Sequence, residues 1–334
     1  MRAREGDFIE TPEGLIFDVK GMLHPPDRII AYLRYFQDKD GPRERLGIKY
    51  EKVYNLSART RLLRANWPKY LYRDRVFNRE LQAVPIAKVR RHYLPADKLR
   101  QLRHSRSLDS KQNLAIDMAT TLASNADVPI SRIGVSGSLL VDLHTMKSDI
   151  DLIIYGSSAA RKCHSTLCTL LDASARGFSP YNRADLRTLY QLRKQTRSMP
   201  FRLFLRLEQP KLLQGKFKGT DYFIRCVRDW DEWHESYGSK TCFGMGRSTV
   251  QATIGSDTES IFTPSIYELT DSEATGKFPA PTHITSFRGR FCEQAHTGEG
   301  VRARGTLEKI VSRSGVGYRL VIGENPTDYL IVTR

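Results

Sequence analysis

The chain has 334 residues, 40% hydrophobic and 10% aromatic, with 53 Lys and Arg against 37 Asp and Glu for a formal net charge of +16. That length and apolar content exclude a disordered or fibrous chain and predict a soluble, cytoplasmic protein of two or three domains without a membrane partner, since no window approaches the roughly eighteen apolar residues of a span and no apolar segment follows the charged N-terminus. The positive field concentrates polyanions, so nucleic acid, RNA or DNA, is the leading partner class, with a merely soluble basic protein as the alternative.

The first segments read as an antiparallel β unit. Residues 7–11 and 15–19 alternate around the turn signal Pro12-Glu13-Gly14, and Arg28 to Tyr35 follows His24-Pro25-Pro26. His24 is held extended by the prolines, and an ordinary turn role is favoured over a catalytic one. From Tyr50 to Phe77 basic and aromatic residues interleave, including Tyr54, Arg59, Arg61, Arg64, Trp67 and Tyr70. Such a stretch suits single-stranded nucleic acid, and it equally suits a solvated helix whose rings enter the core. Roughly ten of the excess positive charges fall in the first 110 residues. Arg103-His104-Ser105 reads as a linker, giving an N-terminal α+β domain over 1–105.

Apolar positions Leu114, Met118 and Leu122 predict a helix from Ser110 to Ala123, stopped by the segment ending in Pro129. A short strand, Arg132 to Ser136, then runs into Gly137-Ser138. Backbone N–H groups at a helix start suit a triphosphate; Gly137 permits close approach and Ser138 supplies a hydroxyl. A second strand opens with Asp149-Ile150-Asp151. Side chains two apart share a face about 6.5 Å apart, so both carboxylates converge, and oxygen ligands of this kind suit Mg²⁺ or Mn²⁺. The five cysteines are scattered without a C-x-x-C pair, so a zinc site or disulfide framework is not expected.

Gly137-Ser138 followed at this spacing by Asp149-Ile150-Asp151 resembles the signature of the DNA polymerase beta-type nucleotidyltransferase superfamily, and the whole chain resembles an uncharacterised archaeal family of predicted nucleotidyltransferases. The resemblance implies a serine that holds an NTP, acidic residues that hold two metals, and a third carboxylate from a neighbouring strand. Asp221, at the entrance of the apolar run Tyr222 to Val227, is the best third ligand, ahead of Glu208, Asp229 and Asp231. Members of the superfamily often carry an Arg shortly after Gly-Ser; here those positions are Leu139, Leu140, Val141 and Asp142, a departure that leaves the γ-phosphate contact unassigned, with Lys147 and His144 as the candidate extra phosphate contacts.

Ser157 to Arg176 and Arg183 to Arg197 read as helices, the second carrying Arg187, Arg193, Lys194 and Arg197 as phosphate contacts or as a solvated face. Phe201 to Leu207 fits either a strand or a helix. From Cys242 onward, short β-like runs broken by Gly, Pro and Ser suggest a small barrel of the OB type, with Arg288, Arg290, Arg302 and Arg304 facing outward. The expected fold is therefore α+β, with a nucleotidyltransferase core over 106–240, a mixed sheet with flanking helices, between the N-terminal domain and a β-rich domain over 241–334. The expected reaction moves an NMP from an NTP to a nucleic-acid end. Adenylylation of a protein or small molecule, and a silent nucleic-acid-binding core, are the alternatives.

Overall fold

The computed structural model describes residues 1–193 and 199–333. Its first elements are β1 (Phe8–Glu10), β2 (Ile16–Val19), β3 (Arg28–Gln37), β4 (Arg43–Arg45), β5 (Ile48–Lys52), α1 (Leu56–Asn66), β6 (Leu71–Asp74), β7 (Arg79–Pro85) and β8 (Arg91–Tyr93). Helices α2 (Pro95–His104) and α3 (Ser110–Ala126) lead to β9 (Ile133–Val135), the short α4 (Gly137–Leu140), β10 (Ile150–Tyr155) and α5 (Ser157–Asp172). Next come β11 (Phe178–Ser179), α6 (Arg183–Leu192), α7 (Phe201–Glu208), β12 (Gln214–Phe217) and β13 (Thr220–Val227). The last strands are β14 (Lys240–Glu259), β15 (Ser265–Ala274), β16 (His283–Ser286), β17 (Gly300–Ser312), β18 (Gly315–Ile322) and β19 (Tyr329–Val332). The class is α+β. Among the described residues no helix is long and apolar enough to cross a membrane.

The chain divides into two compact units. The first contains Met1–Arg75, Arg79–Thr166 and Gly219–Tyr237. In it β1 to β8 form one sheet, ordered β4-β5-β3-β2-β1-β8, with β7 joined to β3 and β6 to β7. The long β3 makes this branching possible, because Arg28–Ile30 pair with β7 while Tyr35–Gln37 pair with β5. The β1–β2 turn closes at Gly14, whose φ of +75° is strained for any side chain.

Alternation, interrupted by a bulge between Leu33 and Tyr35 of β3, then sorts the side chains into two faces. On one face Ile9, Phe17, Val19, Ile29, Ala31 and Leu33 form a core with Leu63 of α1 and with Tyr70. On the other, Phe8, Ile16, Tyr35, Tyr50 and Tyr93 pack against Leu140, Val141 and Leu143. Each such fully buried leucine or aromatic contributes about 2 kcal/mol. The second face therefore anchors the segment that follows Gly137-Ser138.

Helix α3 starts at a capping box, where the Asp109 side chain accepts from the Lys111 and Gln112 N–H groups while the Gln112 side chain accepts from the Asp109 N–H; the helix stops at Asp127 in a left-handed conformation. Its product is a rigid approach to β9, which pairs antiparallel with β10; β10 in turn pairs parallel with β13. The apolar run Leu152 to Ile154 is buried on both faces of this sheet, which is why it reads as continuous rather than alternating.

The second unit contains Val76–Asn78, Leu167–Lys218 and Gly238–Arg334. Strand β14 pairs with both β15 and β17, β15 with β16, β16 in parallel with β18, and β18 with β17, so five strands close a ring. Val250, Ile254, Tyr267, Ile284, Leu320 and Ile322 fill it. The segment open between strand and helix is the helix α7; Tyr190 of α6 packs its ring 5.1 Å from Phe204. The helix expected to reach Arg197 ends at Leu192, and Lys194 and Arg197 lie outside the described residues.

Candidate active site

The turn from β9 into α4 lies directly against β10. Ser136 donates its N–H to the Asp151 carbonyl at 2.8 Å, continuing the β9–β10 ladder, and its Oγ donates to the Gly6 carbonyl at 2.7 Å. This brings Gly137 over the Asp151 side chain. A Cβ on Gly137 would lie 1.8 Å from Asp151 Oδ2, and the φ of +62° is unfavourable for any other residue. Glycine is thus required twice, by conformation and by contact. Next to it Ser138 is 3% exposed and its Oγ has no hydrogen-bond partner, although its carbonyl accepts from the Leu143 N–H at 2.9 Å. A buried hydroxyl left unpaired costs on the order of 1–3 kcal/mol, a cost that an incoming ligand oxygen removes.

The parallel register places Asp151 opposite Phe223 and Ile153 opposite Arg225. Extended one step beyond the last paired residues, the same register sets Asp149 opposite Asp221. All three carboxylates therefore belong to one face of the sheet. They are not gathered equally: among the described residues no group of three or more His, Cys, Asp and Glu is drawn together tightly enough to hold a metal. Asp149 and Asp151 form the interacting pair. Burial, and then the Asp149 charge, push the Asp151 carboxyl up to about 7 against the pull of Arg225, Lys52 and Arg34. Asp221 is exposed at the mouth of β13.

Cations from β13 and from the N-terminal sheet reach this face. Arg225 pairs with Glu5 at 3.0 Å, and Lys20 pairs with Glu5 at 3.0 Å and Asp18 at 2.8 Å. Burial alone would raise Asp18, yet the Lys20, Arg225 and Arg34 charges hold it down at about 2. Arg34 on β3, Arg43 on β4 and Lys52 on β5 differ from these. Among the described residues no carboxylate stands within ion-pair distance of any of the three. Burial, followed by Arg34, draws Lys52 down to about 8, with Arg43 adding to the effect while Asp149 and Asp151 oppose it. Lys52 Nζ sits 4.9 Å and the Arg34 guanidinium 5.8 Å from the centre of the Tyr54 ring.

Sequence reasoning missed Arg34, Arg43 and Lys52. The available signal was Arg34 itself, a charge set between Leu33 and Tyr35 within a largely buried strand. Lys147, the candidate phosphate contact, stands exposed in the turn where Ser148 N–H bonds the Thr145 carbonyl at 2.9 Å. His144 bonds Asp109 at 2.8 Å and so ties the loop to the start of α3. His24 has the turn role: Nδ1 accepts from the Ile30 N–H at 3.2 Å, which leaves Nε2 to donate to the Ala3 carbonyl at 2.9 Å.

Two of the rival carboxylates are engaged elsewhere, and Asp231 is exposed. Glu208 pairs with Arg193 at 2.7 Å and Lys211 at 3.0 Å, and Asp229 pairs with Arg4 at 3.1 Å and with Arg132. Of the interleaved rings, Tyr50 and Tyr70 are core while Tyr54 is 68% exposed. Arg187 stacks on Phe201 at 5.0 Å, and Arg302 and Arg304 are exposed on β17.

No family model matches the chain, and no solved structure matches it. The uncharacterized protein MJ1086 of Methanocaldococcus jannaschii is 30% identical to it over 335 residues, covering 97% of this chain and 96% of the archaeal protein. Similarity of that extent runs through both units and not only through the Gly137 to Asp151 segment, and the chain belongs to the same family as this archaeal protein.

Proposed function

We propose that this protein is a metal-dependent nucleotidyltransferase of the polymerase beta type that moves an NMP from an NTP to a hydroxyl at a nucleic-acid end. The observation that carries the reading is the contact of Gly137 with Asp151, which sets a bare backbone and the unpartnered Ser138 hydroxyl beside the Asp149–Asp151 pair, whose Asp151 carboxyl is raised. Two neighbouring carboxylates repel each other unless a cation joins them, so the donor set fits Mg²⁺ or Mn²⁺, with Asp149 and Asp151 holding it and Asp221 as the third carboxylate on that face. When bound, such an ion neutralises the triphosphate and acidifies the attacking hydroxyl.

The chain's own groups do the rest. Gly137 lets the phosphates approach the backbone, and Ser138 donates to a phosphate oxygen. The acceptor oxygen attacks the α-phosphorus, the bond to the bridging oxygen of pyrophosphate breaks, and Asp221 receives the hydroxyl proton. For the acceptor, the support is the barrel over 241–334. Its ring pairs first to second to third to fifth to fourth to first strand, with third and fifth parallel, the order of an OB barrel, a fold that commonly grips single strands. With the net charge of +16, this favours a polyanion over a protein or small-molecule acceptor. Incubation with α-labelled NTP, Mg²⁺ and single-stranded RNA or DNA is expected to label the oligonucleotide, with loss of at least about a hundredfold in Asp149→Asn and Asp151→Asn. Undiminished transfer by both variants would overturn the assignment.

A further inference from the structure

The superfamily's usual arginine after Gly-Ser is absent, and α4 offers only Leu139 and Leu140 in its place. Apart from Arg225 of β13, which is paired with Glu5, the positive charge facing the carboxylates comes from the N-terminal sheet. Strands β3 and β5, which carry Arg34 and Lys52, pack Tyr35 and Tyr50 against Leu140, Val141 and Leu143 just beyond Gly137-Ser138, and both cations act on Asp151, so the two cations and the acidic pair share one site. The Arg43 guanidinium lies beside them, anchored by a hydrogen bond to the Leu143 carbonyl just beyond α4.

Three half-buried cations crowd together here without ion-paired carboxylates among the described residues. The carboxylates facing them do not neutralise the set, because Asp149 and Asp151 are the groups a metal would occupy and Asp18, which Arg34 also faces, is already paired with Lys20. Such convergence is unfavourable in the empty protein and favourable once a multiply charged anion enters. Arginine adds a planar fork suited to phosphate oxygens, and lysine a compact charge. Tyr54 holds both cations against its ring face, which limits the rotamer freedom each would lose on binding.

We propose that Arg34 and Lys52 form the clamp for the β- and γ-phosphates of the nucleotide, with Tyr54 as the positioning residue that aims them. The clamp rests on the nucleotidyltransferase reading for the reaction it serves, but not for its chemistry, which is recognition of a short polyphosphate chain. A phosphate chain can come from a free triphosphate or from a nucleic-acid backbone, and the place of Arg34 and Lys52 opposite Asp149 and Asp151 assigns them to the triphosphate.

The test is calorimetric titration of the full-length protein with inorganic tripolyphosphate and Mg²⁺, beside titration with a single-stranded oligonucleotide. Arg34→Gln and Lys52→Gln are each expected to weaken tripolyphosphate binding about tenfold or more. Lys52→Arg restores most of the affinity, and Tyr54→Ala gives a smaller loss that Tyr54→Phe recovers. Wild-type-like unfolding midpoints in the Gln variants exclude a folding defect. Unchanged tripolyphosphate affinity in Arg34→Gln and Lys52→Gln overturns the clamp, as does weakening confined to the oligonucleotide. If wild-type protein binds tripolyphosphate through these residues yet labels no acceptor, the clamp stands and the proposed reaction falls. If it transfers nucleotide with both variants unaffected in their KM for NTP, the clamp falls and the reaction stands.

Discussion

At the scale of single residues, Gly137 is where conformation, contact and chemistry coincide. A methyl group there would meet the Asp151 carboxylate at 1.8 Å from a left-handed backbone. Gly137→Ala is therefore expected to cost about 1–3 kcal/mol in urea unfolding and to abolish transfer, because relief of the clash must displace either Asp151 or the β9–α4 turn. An equally stable and active Gly137→Ala protein would show that the turn does not press on the carboxylate. Asp151 carries a second expectation. Its charge is unfavourable until a cation arrives, so Mg²⁺ should raise the melting temperature of wild-type protein, and that increment should vanish in Asp151→Asn. An identical rise in the variant would place the cation elsewhere.

At the scale of elements, β3 decides the architecture of the first unit. Its ten residues pair with β2 along one edge and with β7 and β5 in turn along the other, so one strand supports the core and delivers Arg34 to the site. His24 secures its start by bridging Ala3 and Ile30. Burial draws the His24 ring down to about 4, helped on the charge side by His92. The sign follows directly: below about 6.5 the unfolded chain takes up a proton that the folded ring refuses, so stability falls between pH 6.5 and 4. The expected loss is about 2 kcal/mol, less than the full shift because the ring keeps partial solvent access. Urea midpoints measured across that window should decline in wild-type protein and flatten in His24→Gln. Parallel declines in both would show that other groups set the acid limit.

At the scale of the whole molecule, the barrel strands carry a complete core between Val250 and Leu330 and close their ring without any strand from the first unit. A fragment spanning residues 238–333 is expected to unfold cooperatively and to bind single-stranded RNA or DNA with an affinity that falls steeply with salt. A fragment that melts without a transition, or binding insensitive to salt, would count against an independent nucleic-acid module. The two Leu212 and Leu213 N–H groups that donate to Glu293 at 3.0 and 3.1 Å are absent from that fragment, so Glu293→Gln is the form to use should the bare carboxylate impair folding.

Local pattern determined much of this. The Pro12-Glu13-Gly14 turn, the helix from Ser110, the strands on either side of Gly137 and the shared face of Asp149 and Asp151 all follow from periodicity and turn chemistry over a few residues, where the chain's own sterics decide. The same local logic left Phe201 to Leu207 open, because a short apolar run has no period long enough to separate strand from helix. Tertiary structure alone decided the rest. Whether Tyr50 or Tyr54 would be the exposed ring depended on which face the sheet buries, and the placement of Arg34 and Lys52 opposite Asp151 depended on the packing of Tyr35 and Tyr50 against Leu140, Val141 and Leu143, about a hundred positions further along the chain. A sequence gives each cation its charge, but only long-range packing and burial bring three of them to one acidic pair with no carboxylate at ion-pair distance among the described residues.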